Sequence, residues 1–274
     1  IDTPGAPDFS GHALPALEAV ETAIVVIDAQ RGIELMAQRA MDTAAERLRD
    51  RVIVINKIDT PGIDLPGLLE QIRETFGREC LPLNLPKAGG VQDCFFASSG
   101  ASDFGSVAEA HRALVEQVVE VDPEFVERYL NEGDVPASEL HVPLEQALRE
   151  GHLIPVLFTA AKSGIGVPEL LTCIEKLLPN PLEANPPVFE RSEGEDSVPV
   201  EVSIDAEAHV LAHVFAQRSD PFLGKLGFVR VHQGTLRRNM QVYVGHARKP
   251  VRVAHLFALQ GKTQVPIEEA VPGE

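Results

Sequence analysis

Three short runs of consecutive apolar residues stand out along the chain, at 23–27, 52–55 and 154–158. They are rich in Ile and Val and do not alternate with polar residues. Unbroken runs of this length fit strands of a parallel sheet covered on both faces. Between them, apolar residues recur at helical spacing. Residues 35–49 place Met41, Ala44, Ala45 and Leu48 on one face, and residues 68–76 do the same with Leu68, Leu69, Ile72 and Phe76. After the third run, Val167, Leu170, Leu171, Ile174, Leu177 and Leu178 repeat in the same way. Strand and helix in alternation, joined by right-handed crossovers, give a doubly wound α/β sheet.

One stretch breaks this rhythm. Residues 77–151 are far too long for an ordinary connection and read as an inserted α+β subdomain between two parts of the sheet domain, 1–76 and 152–182. Its first part, 81–105, predicts small strands. Its second part predicts helices: Leu114, Val115, Val118 and Val119 mark one, and another opens at Pro143 and closes at Gly151. Pro179-Asn180-Pro181 ends the last helix of the sheet domain, and the polar residues 183–198 read as a linker. From 199 to 274 the pattern changes to short β runs at 210–216, 226–232, 240–244 and 251–257, punctuated by Gly234, Gly245 and Gly261. These predict a small β-barrel second domain whose strands continue past Glu274.

Charge sharpens the division. The net charge is −17, which argues against wholesale nucleic-acid binding and gives no reason to expect DNA as a partner. Residues 222–267 nevertheless contain no Asp or Glu and eight Lys or Arg; with Glu268, Glu269 and Glu274 the segment 222–274 stands at +5, and residues 1–221 at −22. Opposite signs suggest two domains facing different partners, although drift of surface charge for solubility gives the same pattern. Within the insert, residues 107–151 hold eleven acids against Arg112, Arg128 and Arg149. That is a solvated helical face or a docking surface for a basic partner. No run is apolar for the roughly 18–20 residues a membrane span needs, and no signal peptide is visible. Cys80, Cys94 and Cys173 are scattered, as in a reduced cytoplasmic protein.

The candidate chemistry lies at strand ends. Asp2-Thr3-Pro4-Gly5 fits a phosphate site in which Asp2 holds Mg²⁺ through water, while Gly5 lets a backbone N–H approach a γ-phosphate. Asn56-Lys57-Ile58-Asp59 follows the second apolar run, where ligands sit in open α/β sheets. The Asp59 carboxylate can accept from both the ring N–H and the exocyclic amino group of guanine, a donor pair adenine lacks. The stem of Lys57 can lie along the base, and Asn56 can tie neighbouring loops together. Ala160-Ala161-Lys162 follows the third run, where a backbone N–H can reach the guanine O6. Asp-x-x-Gly alone is weak; the three in order, each at a strand end, are specific.

Other motifs are absent or misleading. Gly261-Lys262-Thr263 resembles the end of a phosphate loop, but Leu256 stands where that loop needs its first Gly. It reads as a turn. The phosphate loop, its Lys and the Mg²⁺-binding Ser or Thr are not in this sequence and are expected to precede Ile1. The nine histidines form no His-Glu-x-x-His pair, and no Gly-x-Ser-x-Gly occurs. His12, His111, His141, His209 and His246 read as surface or satisfied core residues.

These motifs resemble those of bacterial elongation factor G, and more closely its elongation-factor-G-like paralogues. Asp2-Thr3-Pro4-Gly5, Asn56-Lys57-Ile58-Asp59 and Ala160-Ala161-Lys162 match the family's third, fourth and fifth nucleotide motifs in order. The long interval before Ala160 is similar to the family's insert. Asp220-Pro221-Phe222-Leu223-Gly224-Lys225-Leu226 and Arg230-Val231-His232-Gln233-Gly234-Thr235-Leu236 are similar to its second-domain barrel. The resemblance implies a GTP- and Mg²⁺-dependent translation factor acting on the ribosome, in translocation or recycling. It also implies a barrel that meets ribosomal RNA and an insert that meets the ribosomal stalk protein. A release-factor-recycling GTPase shares the core and also carries an insert. Two departures matter. Ala6 stands where the family places its catalytic His, a type of contribution worth about 10²- to 10⁴-fold, so no catalytic residue is assigned and a nucleotide-gated, non-hydrolysing ribosome-binding module is an alternative. Ala160 stands where the fifth motif usually has Ser. The chain alone is expected to bind GTP weakly and to be inactive, because most phosphate contacts dominating such sites lie outside it.

Overall fold

The computed structural model describes residues 1–274 except 133–134, 137–138, 182, 184–187, 194–195, 246 and 262. Two compact units divide the chain, Ile1–Asn185 and Pro186–Glu274.

In the first unit, the three apolar runs become β1 (Thr22–Asp28), β2 (Asp50–Asn56) and a later strand of the same sheet. α1 (Ser10–Ala16) precedes β1, and α2 (Leu35–Glu46) and α3 (Leu65–Phe76) lie between the runs. After α3 come β3 (Cys80–Pro82), β4 (Asn84–Lys87), β5 (Gly90–Asp93), α4 (Val107–Val119), α5 (Pro123–Glu132) and α6 (His141–Arg149). Then follow β6 (Ile154–Phe158) and α7 (Val167–Lys176). The sheet is all parallel, in the order β1-β2-β6-β3. This is the expected α/β architecture with one strand more than the three runs indicate.

The additional strand comes from inside residues 77–151. Cys80, Leu81 and Pro82 are buried and pair in parallel with β6. Helix α6 packs on β2, and α4 on β3 and α6. One continuous core therefore joins Val54, Ile55 and Phe158 of the sheet to Leu114, Val118, Leu144 and Leu148 of the inserted helices. The expected insert boundary at 77 falls just before a strand of the main sheet, because three residues are too few to show a strand period.

Coverage of the sheet is uneven. β2 and β6 are buried through their centres, as unbroken apolar runs require. β1 departs from that expectation: its burial alternates, with Ile24 38% and Val26 60% exposed. It is an edge strand of this sheet, and Ala23, Val25 and Ile27 alone face the core. Helix faces shift in the same way. Leu48, read as part of the α2 face, is exposed with φ 53°, because α2 ends at Glu46 and the chain reverses into β2. On α7 the buried contacts come from Cys173 and Leu177, while Leu171 and Ile174 are exposed.

The second unit is β-rich. Its strands are β7 (Phe189–Glu193), β8 (Asp196–Val200), β9 (Leu211–Asp220), β10 (Gly224–Gln233), β11 (Leu236–Arg237), β12 (Gln241–Val242), β13 (Val251–Arg252), β14 (Phe257–Gln260), β15 (Thr263–Pro266) and β16 (Glu269–Ala270). They pair as antiparallel two-stranded ladders, of which β9–β10 is the longest. Val231, Leu236 and Ala270 form its buried centre. The β7–β8 hairpin overlaps the segment read as a linker, so 189–193 and 196–198 are paired backbone; 184–187 and 194–195 lie outside the described residues. Gly261 occupies the turn between β14 and β15, with φ 59°, in keeping with a turn rather than a phosphate loop. Lys262 and His246 lie outside the described residues.

Candidate functional site

Parallel pairing brings the carboxyl ends of β1, β2 and β6 side by side, with Asp28 opposite Asn56 and Ile55 opposite Phe158. Asn56 is the knot between two loops. Its Oδ1 accepts from the N–H of Ala161 at 3.0 Å and from the Thr159 hydroxyl at 3.3 Å. The backbone adds Thr159 N–H to Ile55 O at 2.8 Å and Ile58 N–H to Thr159 O at 3.1 Å. Asn56 thus links the end of β2 to the loop that follows β6.

Lys57 lies in the left-handed region at φ 68°. A side chain there is strained, and strain of this kind collects at functional loops. Thr60 N–H closes back onto Lys57 O at 3.2 Å and helps hold the turn. The ammonium of Lys57 donates to Asp28 Oδ2 at 2.5 Å. Lys57, together with the Gln30 N–H on Asp28 Oδ1 at 2.9 Å, holds the Asp28 carboxyl below the usual carboxylate range.

The third loop, 160–165, closes on itself. Ala160 N–H donates to Ile165 O at 2.8 Å, and Ser163 N–H to Ala160 O at 3.1 Å. Gly164 and Gly166 have φ of 80° and 71°, and a Cβ at Gly166 would collide with the Phe158 carbonyl oxygen. Ala160 is buried while Ala161 and Lys162 are exposed. Within the loop, the Ala160 and Ala161 amides are already used; the Lys162 amide donates to nothing among the described residues. Behind the loop, the buried Asn84 side chain accepts from Phe158 N–H at 2.7 Å and donates to Phe158 O at 3.3 Å. It extends the hydrogen bonding of β6 to its last residue.

Asp59 is exposed and accepts from the Ser163 hydroxyl at 3.0 Å. Asn56, Lys57, Asp59 and the loop carrying Ala160, Ala161 and Lys162 therefore form one cluster. Asp2 and Gly5 are exposed, and no hydrogen bond or ion pair among the described residues joins them to that cluster. Ala6 is also exposed, in extended backbone. Asn84, Thr159, Ser163 and Asp28 escaped the sequence reading. Only Asp28, a carboxylate ending an apolar run, carried a signal.

Burial pushes the thiols of Cys80, Cys94 and Cys173 up to about 12, which keeps them protonated at neutral pH. For a bound metal, Asp2 is a lone exposed carboxylate, and no group of three His, Cys, Asp or Glu among the described residues is placed to hold an ion. These residues do not by themselves make a Mg²⁺ cage. The exposed Asp59 carboxylate and the unused Lys162 amide offer an acceptor and a donor in the same cluster.

Comparison with known proteins agrees. The family model of the elongation factor Tu GTP-binding domain matches residues 1–180, and that of elongation factor G domain 2 matches residues 209–274. The chain belongs to the translational GTPases of the elongation factor G type. An elongation factor G-like protein of Mycobacterium tuberculosis is 32% identical over 90% of this chain and 36% of its own length. One from Thermotoga maritima is 28% identical over the whole chain and 42% of its own length. A crystal structure of a Thermus thermophilus protein superposes with a TM-score of 0.75 at 30% identity, covering 99% of this chain and 40% of that one. The chain thus spans about 40% of the length of these relatives. No helix among the described residues is long and apolar enough to cross a membrane.

Proposed function

We propose that this chain supplies the base-reading half of a guanine-nucleotide site in a translation factor that acts on the ribosome. The observation that carries this reading is the cluster around Asn56. One side chain fixes two loops so that Asp59 faces the exposed edge of loop 160–165. Asp59 accepts from the guanine ring N–H and amino group, the Lys162 amide donates to O6, and the stem of Lys57 covers a base face. Asp2 and Gly5 would serve the phosphate end, and Asp2 would be this chain's contribution to holding Mg²⁺, through water. Bound Mg²⁺ would neutralise phosphate charge; the chain's own part is selection and orientation of the base.

The affinities of the full-length protein for GDP and ADP test this reading. A strong preference for GDP that Asp59→Ala abolishes is expected. Equal affinity for the two nucleotides overturns it.

The acid-free stretch 222–267 supports contact of the second unit with ribosomal RNA, and the acidic helices α4 to α6 are the candidate surface for the ribosomal stalk protein. Ala6 favours a second reading, a nucleotide-gated ribosome-binding module with weak hydrolysis. Its methyl group neither accepts a hydrogen bond nor orients water. Ribosome-stimulated hydrolysis should rise by about 10²-fold or more in Ala6→His; rapid hydrolysis with Ala6 in place defeats that second reading.

A further inference from the structure

We propose that Ser163 is a positioning residue for the Asp59 carboxylate, and that it sets how sharply the site separates bases with two adjacent donors from bases with one. The inference rests on the guanine reading of Asp59 given above. Asp59 is exposed and lies outside regular structure. A free carboxylate of this kind rotates about two side-chain bonds and loses that freedom on binding, at a cost to affinity. Ser163 removes part of that freedom beforehand, since its Oγ donates to Asp59 Oδ2 at 3.0 Å.

The hydroxyl is itself fixed by backbone. The Ala160–Ile165 bridge closes its loop, Gly164 and Gly166 supply the left-handed turns, and the Ser163 N–H caps Ala160 O at 3.1 Å. Because the N–H already makes the turn, the loop does not need the hydroxyl to close. The same Oγ lies 3.2 Å from Ala160 O, which confines it between the two acceptors. Ala160, in the place of the usual fifth-motif Ser, has no hydroxyl to offer. Among the described residues, Ser163 supplies the hydroxyl that donates to Asp59. A carboxylate offers about four acceptor positions, so one hydrogen bond to Oδ2 leaves room for both donors of guanine.

This arrangement affects two ligands differently. Guanine engages both carboxylate oxygens and so requires a fixed carboxylate plane. Hypoxanthine lacks the exocyclic amino group, engages one oxygen and tolerates rotation. Dissociation constants for GDP and IDP, measured on the full-length protein and its Ser163→Ala and Ser163→Thr variants, therefore test the role. Ser163→Ala should weaken GDP by about three- to ten-fold and IDP by less than about two-fold. Ser163→Thr keeps the hydroxyl and should hold the GDP:IDP ratio near the native value. Ser163→Thr against Ser163→Val, equal in shape, repeats the comparison if Ala disturbs the loop.

Loss of affinity by the same factor for both nucleotides, or an unchanged GDP:IDP ratio, overturns the proposal while native preference for GDP over ADP leaves the guanine reading standing. Native protein without that preference refutes the guanine reading and this inference together.

Discussion

The two ends of β1 and β2 treat carboxylates in opposite ways. At the carboxyl end, Asp28 is paired with Lys57 and held below its ordinary range. At the amino end, Asp50 is 2% exposed, and neither of its oxygens accepts a hydrogen bond among the described residues. Burial pushes the Asp50 carboxyl up to about 7, against the pull of Arg149, Arg49 and Arg51. The carboxylate at one end has hydrogen-bond partners, and among the described residues the carboxylate at the other has none. The polar order of this sheet is concentrated where loops from β1, β2 and β6 meet, which is where a ligand of an open α/β sheet binds. The amino end bears a cost instead, because a buried charge without hydrogen-bond partners is destabilising.

The largest expected effect comes from relieving that cost. Asp50 has a folded value above its unfolded one, so the folded state holds the extra proton between about pH 4 and pH 7. Stability contributed by this group therefore falls as pH rises through that window and is level above it. Asp50→Asn, similar in shape to the protonated acid, should lack the slope. Relative to the native protein it should gain about 2–4 kcal/mol on going from pH 4 to pH 8. Urea midpoints at the two pH values measure this; parallel curves for the two proteins would show that Asp50 does not carry the strain.

Breaking the carboxyl end should cost somewhat less. Asn84→Ala removes both partners of Phe158's backbone in a buried place, a loss of about 2–3 kcal/mol. The damage should spread to loop 160–165, seen as faster amide exchange there, although Asn84 lies in the inserted segment. A smaller cost, about 1–2 kcal/mol, is expected for Gly166→Ala, which forces an L side chain into a left-handed φ against the Phe158 carbonyl. If Gly166→Ala is neutral in denaturation, the loop is softer than its hydrogen bonds indicate.

The same comparison shows what the sequence could reveal. Local signals were legible: unbroken apolar runs marked β2 and β6, and Asn56, Lys57, Asp59 and Ala160 to Lys162 stood in order after them. The bonds that assemble them were not. Asn84 reaches Phe158 across 74 residues and Asn56 reaches Ala161 across 105, and no periodicity marks such pairs. Strand β3 is too short to show a pattern, and it becomes visible only when β6 offers it an edge. Ile24 and Val26 read like core residues because hydrophobicity records what a residue prefers to touch and not whether a neighbour is there.

The smallest effect separates the two carboxylates most cleanly, because it has the opposite sign. Lys57 is more than half exposed, so removing its ion pair with Lys57→Met should cost only about 0–1 kcal/mol at pH 7. Asp28 has a folded value below its unfolded one. Its contribution is therefore present above the unfolded value near pH 4 and is lost as pH falls through the folded value. The native protein and Lys57→Met should differ at pH 7 and converge as pH falls through the folded value of Asp28, whereas the native protein and Asp50→Asn diverge as pH rises. Thermal unfolding without nucleotide, followed from about pH 2.5 to pH 8, reads both slopes at once. A Lys57→Met difference that persists unchanged in acid would mean that Lys57 stabilises its left-handed turn through packing of its stem, and that its ammonium at Asp28 contributes nothing to the order of this end of the sheet.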